Sequence, residues 1–189
     1  YFYHESEILE YPEITQIPEN LLESYQKIGQ YLGRIIENGS TLNIGFGRLP
    51  NSIWQYLKDK SDLAIYSEML GLTPDLFKLI NSGVINCKKN AYSNIMASFA
   101  LGTRDLYALL DQNPFIKFFP TEFLNDPRNI AKNHKLCSIY SAISVDLTGQ
   151  ITNHLPNRLY GGIGGEPDFI QGRNLSQDGK TIIILPSTS

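Results

Sequence analysis

The chain has 189 residues, 42% of them hydrophobic and 19% charged, with a net charge of −3. That length and mix describe one ordinary domain, or one and a fraction, able to bury a core without disulfide staples, and they exclude a disordered chain. The mild acidity (pI ≈ 5.6) leaves no electrostatic footprint for nucleic acid or an anionic membrane surface, so an anionic ligand has to be held by local geometry.

In chain order, residues 1–17 combine acidic side chains with Pro12 and show no period, and they read as a linker or extended arm. Leu21, Leu22, Tyr25, Ile28, Leu32, Ile35 and Ile36 recur at helical spacing and predict an amphipathic helix ended by Asn38-Gly39. A strand is expected over "TLNIGF" (41–46), then a helix over 50–60 opened by Pro50, with Ile53, Trp54 and Leu57 facing inward. "DLAIY" (62–66) reads as a short apolar strand, followed at once by Ser67, Glu68 and Met69. Thr73 as cap, Pro74 at the first helical position and Gly83 as stop frame the next helix.

"NIMASFA" (94–100) reads as a strand, 103–113 as a helix capped by Thr103, "FIKFFP" (115–120) as a strand, and 126–134 as a short helix with Asp126 as cap. Residues 135–153 read as one long or broken strand turning at Thr148-Gly149, and "KTIIILP" (180–186) as an apolar strand of the buried, parallel type. Strands alternating with such helices give an α/β fold, an open and mostly parallel sheet with flanking helices, with some irregular or antiparallel pairing at 135–170.

Cys87 and Cys137 match no disulfide framework or zinc spacing, and they read as buried free thiols in a reducing cytoplasm. His4, His134 and His154 are scattered without a metal-ligand pairing, so no metal site is expected. No apolar run approaches the roughly 20 residues of a membrane span, and residues 1–17 lack the basic-then-apolar layout of a signal peptide. A start without Met and a stop just after an apolar run read as a piece of a longer protein.

In open α/β sheets ligands gather at the carboxyl ends of the strands, which singles out three loops. "GFGRLP" (45–50) offers Gly45 and Gly47 for close backbone approach at a helix start. Pro50 stands where a dinucleotide fingerprint wants its third glycine, so a structural turn and a ligand loop both remain open. Ser67-Glu68-Met69 puts a carboxylate at a strand end, where it is either a favourable charge near a helix start or a catalyst. "YGGIGGEPDF" (160–169) packs four glycines into 161–165; the backbone N–H groups of Gly162, Gly164 and Gly165 can form a concavity for an anion or oxyanion, or the run is a tight connection. No GxSxG elbow is present, which leaves Glu68 as the strongest candidate nucleophile.

Together the segments "GFGRLPNSI", "DLAIYSEM", "ASFALGTRDLYALLDQNP", "PTEFLNDPRNIAKN", "SAISVDLTGQI" and "YGGIGGEPDFIQGRNL" resemble, in order, the acetyl-CoA hydrolase/CoA-transferase family of class I CoA transferases. The resemblance is to 4-hydroxybutyrate/acetate CoA-transferase-like members and covers their carboxyl-terminal catalytic domain, a three-layer sandwich. It implies a domain over 27–189, truncated at its carboxyl end, with 1–26 as interdomain linker and start of the first helix.

The resemblance further implies transfer of CoA from an acyl-CoA to a small, acetate-like carboxylic acid through a glutamyl-CoA thioester on Glu68. Gly162, Gly164 and Gly165 would lie against the thioester as oxyanion donors, with Gly45, Gly47, Ser67 and Met69 lining the pocket. Coenzyme A is then a substrate, with no permanently bound cofactor, no metal, no nucleic-acid or membrane partner, and a homodimer as the full-length form. Alternatives are an acyl-CoA hydrolase and a catalytically degenerate CoA-binding module; a nicotinamide-binding domain lacks its fingerprint. The chain departs from the family pattern in "LGLTP" (70–74) after the glutamate and in Glu166, where glutamine is usual.

Overall fold

Short apolar segments build the spine of the molecule. In the computed structural model, which describes residues 10–12, 16–111, 113–153 and 164–187, four strands run parallel: β1 (Thr41–Ile44), β2 (Ala64–Ile65), β7 (Leu136–Ser141) and β10 (Lys180–Ile184). Their order is β10-β7-β1-β2, with Thr41 opposite both Leu136 and Ala64. A parallel bridge from Tyr66 to Met96 carries the order on to β4 (Ile95–Ala97), itself parallel to β6 (Ile116–Phe118). A further parallel pair joins β3 (Met69–Gly71) to β5 (Phe99–Leu101).

Because successive strand residues face opposite sides, the sheet feeds two cores. Ile65, Ile139 and Ile184 belong to the larger one, beneath α1 (Leu22–Ile35) and α3 (Pro74–Asn81). Tyr66, Tyr140 and the partly buried Ile183 belong to the other, together with Leu124, Ile130 and Phe169 of α5 (Thr121–Leu124), α6 (Pro127–Ile130) and α7 (Glu166–Leu175). Both faces are therefore covered, the arrangement that parallel sheets require. Each fully buried Leu, Ile or Phe contributes about 1.5–3 kcal/mol to holding the layers together. Among the described residues no helix is long and apolar enough to cross a membrane. Burial raises the Cys87 thiol to about 11 and the Cys137 thiol to about 12, as befits buried free cysteines.

The α3 signals act as expected, with Thr73 Oγ1 accepting from Leu76 N and Pro74 opening the helix. Asp126 likewise caps α6 through Arg128 N. Elsewhere the local readings need correction. The helix expected over 50–60 is α2 (Arg48–Asn51) continued by a 3-10 turn over Ser52–Tyr56, because Asn51 Nδ2 reaches back to the carbonyls of Gly45 and Gly47 and tightens the segment. The strand over 94–100 divides at Ser98 between β4 and β5.

Thr103 precedes α4 (Arg104–Ala108) without a side-chain capping bond, and Arg104 N donates instead to Glu10 of the amino-terminal arm. Residues 135–153 form a central parallel strand, β7, and then a separate antiparallel hairpin of β8 (Ser144–Val145) and β9 (Ile151–Thr152). The hairpin turns at Thr148-Gly149 as anticipated, with the Asp146 carboxylate accepting from Thr148 and Gln150. Helix α7 was not expected, since its inward face holds only Phe169 and Gly172 as buried residues and shows no apolar period.

Candidate active site

Glu68 stands between β2 and β3, at the carboxyl end of the sheet, and its backbone is fixed on both sides. Ser67 N donates to Met96 O at 3.0 Å, and Glu68 O accepts from Ser98 N at 2.9 Å and Phe99 N at 3.3 Å. The division of the 94–100 segment thus supplies the amides that grip the glutamate. The "LGLTP" sequence downstream continues this support, since Leu70 and Gly71 pair with β5 and Thr73 caps α3.

Each oxygen of the half-buried carboxylate has its own donor. Gly165 N donates to Oε2 at 2.9 Å, and Asn125 Nδ2 donates to Oε1 at 3.0 Å. Gly165 is the cap of α7, so the partial positive charge of that helix start faces the carboxylate. No side chain fits there: a Cβ on Gly165 would lie 2.5 Å from Asn125 Nδ2 and 2.8 Å from Glu68 Oε2. A Cβ on Gly164 would stand at an ordinary 3.5 Å. Asn125 is held in turn by its neighbour, because the buried Tyr66 hydroxyl donates to Leu124 O at 2.9 Å.

The carboxylate borders a cavity of about 480 Å³ whose apolar wall includes Phe46, Met69, Phe99 and Phe169. Beneath it lies a buried polar network. Ser67 Oγ donates to Asn43 Oδ1 at 3.0 Å and accepts from Ile44 N at 3.1 Å, while Asn43 Nδ2 donates to the Tyr140 hydroxyl at 2.6 Å. Burial pushes the Tyr140 phenol well above its usual range against the hydrogen bond from Asn43, and the Glu166 and Glu68 charges push it further. Burial also raises Glu166, which lines the same cavity.

Of the residues singled out in the sequence, Glu68, Gly45, Met69, Gly164 and Gly165 meet at this cavity. Gly47 and Ser67 are not on its wall. Gly47, at φ 110°, makes the turn into α2, and the Ser67 hydroxyl points into the network behind. The Gly162 assignment lies outside the described residues. Gly165 differs from expectation in its partner, since its N–H holds the glutamate itself. Asn125 was missed, because no local pattern marks an amide that reaches across 57 residues. Among the described residues no group of three or more His, Cys, Asp or Glu could hold a metal ion.

An open parallel α/β sheet with a gripped carboxylate at its strand ends defines an α/β domain of the class that gathers ligands at that edge. Residues 102–189 match the Acetyl-CoA hydrolase/transferase C-terminal domain. The chain is 36% identical over 182 residues to the 4-hydroxybutyrate coenzyme A transferase of Clostridium kluyveri, covering 95% of this chain and 42% of that protein. It is 38% identical over 181 residues to the succinyl-CoA:cyclohexane-1-carboxylate CoA transferase of Geobacter metallireducens, covering 94% and 39%. The crystal structure of RipA from Yersinia pestis superposes with a TM-score of 0.84 at 34% identity, covering 96% of this chain and 40% of that one. Residues 102–189 thus carry the acetyl-CoA hydrolase/transferase C-terminal domain, and the chain, similar to these CoA transferases along its length, spans about two fifths of theirs.

Proposed function

We propose that the full-length protein transfers CoA from an acyl-CoA to a small carboxylic acid, with Glu68 as the covalent acceptor. The observation that carries this reading is the Glu68 carboxylate held by Gly165 N–H and the Asn125 amide at the mouth of an apolar cavity. Gly165 lines the cavity and Asn125 does not, so Oε2 is the attacking atom and Oε1 the oxygen that becomes the glutamyl carbonyl.

Oε2 adds to the thioester carbonyl, the C–S bond breaks, and an acyl-glutamyl anhydride forms beside CoA thiolate. The thiolate then attacks Glu68 Cδ, releasing the acyl group as its carboxylate and leaving glutamyl-CoA. The acceptor carboxylate reverses these steps and leaves as a new acyl-CoA. At each tetrahedral stage on Cδ the negative charge gathers on Oε1, where a preorganised donor contributes on the order of 3 kcal/mol. The apolar wall limits the competing attack of water.

On this reading residues 27–189 form the carboxyl-terminal domain, 1–26 its link, and the protein works as a cytoplasmic homodimer with acetate-like acceptors. The matched family's description also names hydrolysis, in which water takes the place of the acceptor; dependence of CoA release on an added acid separates the two. The full-length protein should give, after incubation with acyl-CoA and borohydride, a reduced adduct on the Glu68 peptide. Active enzyme without that adduct would sink the covalent role, and Glu68→Ala should leave almost no transfer.

A further inference from the structure

Two carboxylates border the cavity, and they are treated differently by their surroundings. Glu68 has a donor on each oxygen. Glu166, the first residue of α7, lines the same cavity, yet its carboxylate makes no hydrogen bond or ion pair among the described residues, and burial raises its proton affinity. The remaining wall is largely apolar, with Phe46, Met69, Phe99 and Phe169, and no Lys, Arg or His stands on it among the described residues. A reacting carboxylate loses its charge on joining the anhydride. A second carboxylate on the same acyl chain keeps its charge and meets Glu166 across a partly desolvated space.

Building on the Glu68 reading, we propose that Glu166 filters the acyl group by charge, so that the site takes uncharged, apolar chains and turns away chains ending in a second carboxylate. Two other titratable groups face the cavity with it, Glu68 from the turn after β2 and Tyr140 from β7. Asp168, in the same helical turn, borders a separate depression with Arg128. Since burial raises Glu166, the filter strengthens as pH rises through its folded pKa and the carboxyl ionises.

The test compares butyryl-CoA with succinyl-CoA as donors to acetate in the full-length enzyme, by the ratio of their kcat/KM values; the acceptor step is common and cancels. At about pH 8 the wild type should favour butyryl-CoA by about ten-fold or more, Glu166→Gln should lower the ratio by about ten-fold, and Glu166→Asp should largely keep it. An unmoved ratio in Glu166→Gln, or a wild type that uses both donors equally, overturns the filter.

Should Glu166→Gln fail to fold, Glu166→Ala takes its place in the same comparison at about pH 8: a lowered ratio supports the filter and an unmoved ratio overturns it. Borohydride trapping runs alongside. A missing Glu68 adduct with the ratio still shifting removes the covalent reading alone, and a Glu68 adduct with an unmoved ratio removes the filter alone.

Discussion

The side-chain amide of Asn125 donates to Glu68 Oε1 at 3.0 Å, joining the turn after α5 to the turn after β2. The bond comes from outside the cavity wall and so fixes one oxygen while leaving the other beside the ligand space. Asn125→Ala should therefore lower kcat by about 100-fold with KM little changed, the loss typical of one donor to a developing oxyanion. Steady-state kinetics measure it; a proportionate rise in KM with unchanged kcat would assign Asn125 to ground-state binding instead.

Gly165 and Gly164 make a discriminating pair. The φ of Gly165 is −71°, which alanine adopts freely, so only the space around Glu68 forbids a methyl group. Gly165→Ala should abolish most transfer while the unfolding midpoint moves little. Gly164→Ala, with 3.5 Å of room, should retain most activity. Equal effects from both changes would argue against a carboxylate seat confined to Gly165.

Behind the cavity, Ser67→Ala removes the donor to Asn43 Oδ1 and the acceptor for Ile44 N, both buried. Leaving such groups unpaired costs about 1–3 kcal/mol. Urea unfolding should show this as a lower midpoint at unchanged slope.

At the opposite end of the sheet, Glu37 accepts from Lys135 at 2.7 Å and Lys180 at 2.8 Å, at the start of β7 and β10. The hydrogen bond from Lys135 first, and then that from Lys180, lower its pKa from 4.5 to about 2. A carboxyl depressed on folding adds stability above its unfolded pKa, so the contribution is present above about 4.5 and lost as pH falls toward 2. In Glu37→Gln the thermal midpoint should depend less steeply on pH across that window.

What the sequence disclosed, and what it withheld, follows from the range over which each signal acts. The Thr73-Pro74 start of α3, the apolar β10 and the strand end carrying Glu68 are written in a few adjacent residues, and each is found where it was expected. Ser98 divides its strand because two neighbouring parallel pairs draw β4 and β5 in different directions, which no local alternation reveals. Helix α7 hides because it needs only Phe169 and Gly172 to dock, and Gly172 approaches Ile130 of α6 too closely for a side chain. The seat of Glu68 assembles from residues 68, 125 and 165, and only the first and last stand in recognisable motifs.

The order β10-β7-β1-β2 also bears on how the chain is made. Strand β1 lies beside β7, so Thr41 waits for Leu136 before the middle of the sheet can close, and β10, at residues 180–184, is the latest made of these four strands. During synthesis β1 therefore emerges with one flank unpaired until residues 136–141 have been translated. Holding chaperones should engage nascent chains that end before β7 and release them once it has left the ribosome.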